Sequence, residues 1–159
     1  MKSEIIFSHT TLSRNRYRKK TQNRVVIFSD TSDMNKWPYV IKKYVANIEF
    51  FSDRIEEHEI ESINITPQLF NEIKQLISKN TRLRDCSANI QNEVMDSTTE
   101  NFHFECDEFC VDISGLSILG CGYIDKDKPE HLRSDNYYVL KAYEQIADLL
   151  EKNDILYVL

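Results

Sequence analysis

The first half of the chain alternates between continuous apolar runs and helix-like spacing of apolar residues. Residues 25–28 form a short run of β-branched and aromatic side chains, which predicts a buried strand. Between Trp37 and Val45, apolar residues then recur at intervals of three and four, which predicts an amphipathic helix with Pro38 near its first turn. Strand composition returns at 47–52. We therefore expect a strand, a helix and another strand here.

The clearest helix signal follows a short alternating segment. Residues 62–66 alternate between polar and apolar types, as in a strand with one buried face. Thr66 is then a good N-cap, and Pro67 is favourable at a first helical position. Apolar residues at helical spacing continue towards Asn80, where we expect the helix to end.

A change of phase in the alternation predicts a β-hairpin over 101–113. A two-residue turn at Asp107 and Glu108 would bring six side chains onto one buried face. The predicted cross-strand pairs are Cys106 with Phe109, Phe104 with Val111 and Phe102 with Ile113. Asp-Glu is an unfavourable pair for a tight turn, so a longer loop stays open as an alternative.

The rest of the chain predicts one more strand, a long helix and a short terminal strand. The strand, over 116–124, would complete an antiparallel meander over about 101–124, with its two glycines marking a bulge or a close backbone approach. Ser134 begins the last amphipathic helix, and 155–159 has strand composition. The predicted fold is α+β, with a mixed or antiparallel sheet and about three helices packed on it.

Composition indicates one folded domain. The chain has 159 residues, 41% of them hydrophobic, which is enough for one sizeable core. Three Gly and three Pro leave little material for long linkers. No apolar run approaches the roughly 18 residues that span a bilayer, and the N-terminal apolar stretch is too short for a signal peptide. We therefore expect a cytoplasmic protein with free thiols and no membrane contact.

Charge divides the chain into two parts of opposite sign. Residues 1–24 carry seven positive charges and one negative, whereas the whole chain has a net charge of −6. We expect a basic N-terminal segment at 1–24, either flexible or an edge strand, followed by a single α+β domain at 25–159. Segments of opposite sign attract different partners, or each other.

Asp30 and Asp33 are the first candidate for a chemical site. They follow a buried strand, where carboxylates can hold Mg²⁺. Their spacing does not match that of aspartate-nucleophile phosphatases, and no glycine-rich phosphate loop follows. The favoured interpretation is that one of these polar residues caps the next helix.

Zinc ligation is the second candidate. The residues with suitable ligand atoms are His103, Cys106, Cys110 and Cys121. In the predicted hairpin Cys106 faces the core while His103 and Cys110 face outward, so the set does not converge on one ion. None of the common nucleotide-binding, hydrolase or zinc-protease motifs occurs in the chain. We therefore expect neither metal nor cofactor, and favour a non-enzymatic protein.

The favoured hypothesis is an interaction protein whose acidic surface binds a basic protein partner. A bacterial immunity- or antitoxin-type inhibitor of a toxin fits its size and acidity by analogy. The carboxylates expected to carry binding are Glu56, Glu57, Glu59, Glu61, Asp107 and Glu108.

Two alternatives stay open. The first is a nucleic-acid-associated protein whose basic segment contacts phosphates. The residues that would do so are Arg14, Arg16, Arg18, Lys19, Lys20 and Arg24. The second is a small metal-dependent hydrolase centred on Asp30 and Asp33.

Overall fold

The computed structural model describes residues 3–14, 20–48, 56–94, 98–156 and 158–159. The strands among them are β1 Ser3–Arg14, β2 Lys20–Asp30, β3 Tyr39–Ile48, β4 Glu57–Asn64, β5 Asn89–Ile90, β6 Thr99–Glu105 and β7 Cys110–Leu116. The α-helices are α1 Pro67–Lys79, α2 Ile118–Asp125 and α3 Asp135–Lys152, with short 3-10 segments at Thr81–Asp85 and Glu130–Leu132. A mixed sheet with helices confirms the predicted α+β class.

The described strands form one sheet in the spatial order β4-β3-β2-β1-β6-β7-β5. Neighbouring strands are antiparallel except β5, which runs parallel to β7. The edges are β4 and β5, so the described residues of the basic segment lie in two interior strands, β1 and β2. The described residues of this segment are not at an edge of the sheet, because β1 pairs with β2 on one side and with β6 on the other.

The core lies between one face of the sheet and the helices. Alternate residues of the central strands and the apolar faces of α1 and α3 belong to one buried cluster. Its members include Phe7, Ile27, Ile41, Phe102, Phe104, Ile73, Ile77, Val139 and Ile146. The period of two along the strands and of 3.6 along the helices explains how one chain supplies both layers.

Helix α1 and the β6–β7 hairpin have the predicted form. The Oγ1 atom of Thr66 accepts a hydrogen bond from the backbone N–H of Leu69 at 3.0 Å, and Asn80 is the C-cap. The hairpin pairs Phe102 with Ile113 and Phe104 with Val111, and the N–H of Cys106 donates to the carbonyl of Phe109 at 2.9 Å. The N-cap at Thr66 was therefore sufficient to predict α1, and the change of phase in the apolar alternation was sufficient to predict the hairpin.

The predicted helix between Trp37 and Val45 is wrong, because this segment contains the strand β3. Its β-branched residues pair with β2 on one side and with β4 on the other. Val40 and Ile41 are both buried although they face opposite sides of the sheet, so burial on two faces imitates helical spacing. Of the strand predicted over 47–52, only the first two residues lie in β3, and the others lie outside the described residues.

The third strand predicted over 116–124 is also wrong, because most of this segment is the helix α2. Ser117, which has a left-handed backbone (φ 47°), redirects the chain between β7 and α2. Gly122 then lets α2 approach α3, since a Cβ at this position would lie 2.7 Å from the carbonyl oxygen of Asn136. The expected close backbone approach is therefore present, but between two helices.

The terminal strand expected over 155–159 is not formed by the described residues of that range, which have no strand pairing. Val158 is buried instead, and the carbonyl of Leu159 accepts a hydrogen bond from the Tyr143 hydroxyl at 3.1 Å. These described residues thus pack against α3 without forming a strand. Among the helices that the structure describes, none is both long and apolar enough to cross a membrane.

Candidate functional site

The edge strand β4 carries the first group of predicted acidic residues. Glu57, Glu59 and Glu61 lie in the strand, and Glu56 directly precedes it. The pairing of β4 with β3 skips Ile60, which is 57% exposed. Because a one-residue skip reverses the side-chain alternation, Glu57 and Glu59 share one face of the sheet and Glu61 faces the other. The acidic edge, defined as these four carboxylates, therefore surrounds the strand on both sides.

Two of these carboxylates are paired with cations of the neighbouring strands. Arg24 donates two hydrogen bonds to Glu57, one of them from Nε at 3.1 Å, and its guanidinium lies over the ring of Tyr44 at 4.5 Å. The Nζ atom of Lys42 lies 3.2 Å from Oε2 of Glu59. The acidic and basic parts of the chain thus meet in the sheet, and Arg24 is engaged by a carboxylate of the same molecule.

Asp107 and Glu108 form a second acidic surface at the turn of the β6–β7 hairpin. The Nζ atom of Lys74 in α1 lies 2.9 Å from Oδ1 of Asp107 and 2.7 Å from Oε1 of Glu4. The hydrogen bond with Glu4 is the main cause that raises the pKa of Lys74. The Ser78 hydroxyl donates to Glu108 at 2.9 Å and holds the pKa of that carboxyl below its usual value.

The two acidic surfaces are well separated. Strands β4 and β6 are four positions apart in the sheet. At about 4.8 Å per strand spacing, this corresponds to roughly 19 Å. The six predicted binding residues therefore do not form one surface, and a small partner would contact one group or the other.

The basic segment forms most of a β-hairpin rather than a free arm. Arg14 ends β1 and pairs with Lys20, which begins β2. Arg16, Arg18 and Lys19 lie outside the described residues. The described part of the segment is therefore integrated in the sheet, and residues 1–2 and 15–19 lie outside the described residues.

Asp30 and Asp33 shape the loop between β2 and β3. Each carboxylate accepts a hydrogen bond from the backbone N–H two residues later, Asp30 from Ser32 and Asp33 from Asn35, both at 2.9 Å. These are Asx turns, and the bonds from Ser32 lower the pKa of Asp30. No helix follows them to be capped, since the next element is β3. Among the described residues, neither belongs to a group of three metal-ligating side chains.

A different trio of ligating side chains converges on the β6–β7 hairpin. His103, Glu105 and Cys110 have potential ligand atoms that all lie within 4.8 Å of one another. Cys106 is buried as expected, and Cys121 lies in α2, so neither is part of this group. The hairpin register pairs Glu105 directly with Cys110, and this pairing is the signal that sequence reasoning overlooked.

The thiols are poorly suited to nucleophilic catalysis. The four cysteines are free, and burial is the main cause that raises the pKa of each thiol. The pKa of Cys86 is raised to about 12 and that of Cys110 to about 11. Because the thiolate is the reactive form, these groups are weak nucleophiles at neutral pH.

A buried polar pair, which the sequence pattern did not reveal, supports the start of α2. The Nε2 atom of His9 lies 3.3 Å from Oε1 of Glu100, and the imidazole stacks on Phe102 with ring centroids 4.2 Å apart. The other carboxylate oxygen of Glu100 accepts the backbone N–H of Leu119 at 3.0 Å. Glu100 thus satisfies a helix terminus at which Ser117 makes no side-chain cap, so we assign it a structural role.

No protein-family model matches this chain, and no curated protein matches it. The functional inference therefore rests on the residues and their arrangement.

Proposed function

We propose that this protein is a non-enzymatic interaction protein that binds a basic protein partner through the acidic edge. The observation that carries the proposal is the position of β4: it is an eight-residue strand at the edge of the sheet, and most of its residues are exposed. In the described part of the chain, its outer main-chain groups have no neighbouring strand. Such an edge is a template for an added strand or an extended loop.

The carboxylates would select the partner. An acidic edge disfavours acidic strands and favours a segment that carries Lys or Arg. The skip at Ile60 interrupts regular pairing, which limits indiscriminate addition of a second copy. The negative charge of the acidic edge and the irregular pairing at Ile60 together therefore favour a basic partner over self-association.

The four carboxylates would have different parts in binding. Among the described residues, Glu56 and Glu61 have no ion-pair partner, so their charge is available to a partner. Glu57 and Glu59 are held in place by Arg24 and Lys42, so less side-chain entropy is lost when a partner binds them.

The partner class that we favour is a basic toxin of the bacterial cytoplasm, such as a nuclease, which makes this chain an immunity- or antitoxin-type inhibitor. The net charge of −6 and the acidic edge support this assignment. A cationic cleft that binds phosphates also accepts carboxylates, because both ligands are anionic hydrogen-bond acceptors.

The test is affinity purification from native cells with a nuclease treatment and a wash at moderate salt. A β4 variant carries Glu56→Lys, Glu59→Lys and Glu61→Lys, and a control of equal charge change carries Asp127→Lys, Glu130→Lys and Asp148→Lys at exposed positions. We expect the wild type and the control to recover one stoichiometric basic protein that the β4 variant loses.

Two results would contradict the proposal. One is the absence of any stoichiometric protein, and the other is equal recovery by the β4 variant. Recovery of nucleic acid that disappears with nuclease treatment would support the alternative function through the basic segment instead.

A further inference from the structure

We propose that His103, Glu105 and Cys110 form a zinc-binding site on the β6–β7 hairpin. The three side chains lie on the face of the hairpin opposite the buried Phe102 and Phe104. This site is separate from the acidic edge, so the two proposals are tested independently.

The strand register brings the three ligands together. Glu105 lies directly opposite Cys110 in the antiparallel ladder, and His103 is two residues earlier on the same face of β6. The Nε2 atom of His103 is 3.8 Å from Oε1 of Glu105, and all three ligand atoms lie within 4.8 Å of one another. An imidazole, a carboxylate and a thiol therefore converge without any change in the backbone.

Asp112 orients the histidine for this role. It lies opposite His103 in the ladder, and its Oδ1 atom is 2.8 Å from Nδ1 of the imidazole. A proton on Nδ1 donated to Asp112 leaves Nε2, the nitrogen on the side of Glu105, to bind a metal ion. Nε2 now lies 3.2 Å from the carbonyl oxygen of Ile5, and metal binding would replace this contact.

The ligand set favours zinc. Thiolate and imidazole ligands suit Zn²⁺, whereas Mg²⁺ and Ca²⁺ prefer oxygen ligands, and binding of Zn²⁺ to Cys110 would release the thiol proton to solvent. Zinc bonds of about 2.0–2.3 Å place tetrahedral ligand atoms roughly 3.5 Å apart. The ligand atoms must therefore approach by about 1 Å, which rotation of partly exposed side chains provides. Three protein ligands leave the fourth position to water.

The experiment titrates the full-length, reduced, metal-free protein with Co²⁺ and then with Zn²⁺. We expect one Co²⁺ per chain, with a thiolate-to-cobalt charge-transfer band that Zn²⁺ removes. Cys110→Ser should abolish the band, and His103→Gln and Glu105→Gln should weaken Zn²⁺ binding at least about tenfold. The control Cys121→Ser, which changes another partly exposed thiol, should keep the band.

Circular dichroism shows whether each variant is folded, and thermal unfolding measures Zn²⁺ binding through the change in melting temperature. Zn²⁺ should raise the melting temperature of the wild type and of Cys121→Ser but not that of Cys110→Ser. Asp112→Asn should keep the band and weaken binding about 10- to 100-fold. The proposal is overturned if the wild type gives no saturable band, if the band persists in Cys110→Ser, or if it is lost in Cys121→Ser.

Discussion

At the scale of single residues, Gly122 determines how closely α2 and α3 pack. A Cβ at this position would lie 2.7 Å from the carbonyl oxygen of Asn136 and 2.8 Å from Cβ of Leu140. Both contacts are shorter than van der Waals distance and involve atoms that cannot rotate away. Gly120 provides a matched comparison, because a Cβ added there would meet no atom within 4 Å beyond the backbone of its own helix.

We predict that Gly122→Ala lowers the free energy of unfolding by about 1–3 kcal/mol, because the two helices must separate. Gly120→Ala should be neutral or raise it by up to about 1 kcal/mol, because alanine loses less backbone entropy on folding. Urea denaturation of both variants measures the difference. Equal effects of the two substitutions would show that the close approach at Gly122 does not limit packing.

Asp125 links the end of α2 to the start of α3. It accepts hydrogen bonds from the backbone N–H of Ser134 at 2.9 Å and from the Ser134 hydroxyl, and Lys128 lies 3.0 Å away. Burial alone would raise the pKa of Asp125, but the bonds from Ser134 and Lys128 outweigh it, so the pKa is lowered. Ser134 is the N-cap residue of α3, as predicted, but its hydroxyl binds Asp125 and makes no capping bond to a backbone N–H of the helix.

A lowered pKa in the folded state means that ionised Asp125 stabilises the fold above the pKa of an unfolded aspartate, about 3.9. This contribution is lost as the pH falls through the lower, folded value. We therefore predict that Asp125→Asn is less stable than the wild type at pH 7 and that the difference shrinks at strongly acidic pH. Unfolding free energies measured across this range would contradict the assignment if the difference were independent of pH.

At the scale of elements, local signals predicted α1, α3 and the β6–β7 hairpin, and non-local contacts decided β3. Thr66 is the N-cap of α1 and Pro67 is its first residue. The apolar alternation changes phase at Asp107, and this change defines the hairpin register. Segment 37–45 satisfies a helical pattern, yet pairing with two neighbouring strands makes it β3. Such pairing depends on residues far away in sequence, so a local window cannot reveal it.

The start of α1 provides a test at this scale. We predict that Thr66→Ala lowers the free energy of unfolding by about 0.5–2 kcal/mol, because the N–H of Leu69 loses its acceptor. Thr66→Ser retains a hydroxyl and should lose much less stability. Thermal or urea unfolding distinguishes these outcomes, and an equal loss in both variants would show that the methyl group, rather than the cap, matters.

At the scale of the whole molecule, the fold determines where the basic and acidic segments of the sequence lie relative to each other. The sequence predicted that segments of opposite charge would attract different partners or each other. The ion pair between Arg24 and Glu57 is a contact between two such segments within the molecule. It did not predict that the six acidic residues would separate into two groups, because their distance depends on the order of strands in the sheet. The metal-ligating trio was missed for a related reason: Glu105 joins His103 and Cys110 only through the hairpin register.

The measurement that tests the central claim most directly is the affinity of the recovered partner for two charge-reversed proteins. One carries lysine at Glu56, Glu59 and Glu61 of the acidic edge, and the other carries lysine at Asp107 and Glu108 of the hairpin turn. We predict that the first loses at least about tenfold in affinity, with a reduced association rate at low salt, while the second binds like the wild type. Unchanged affinity of the first protein would contradict binding through β4.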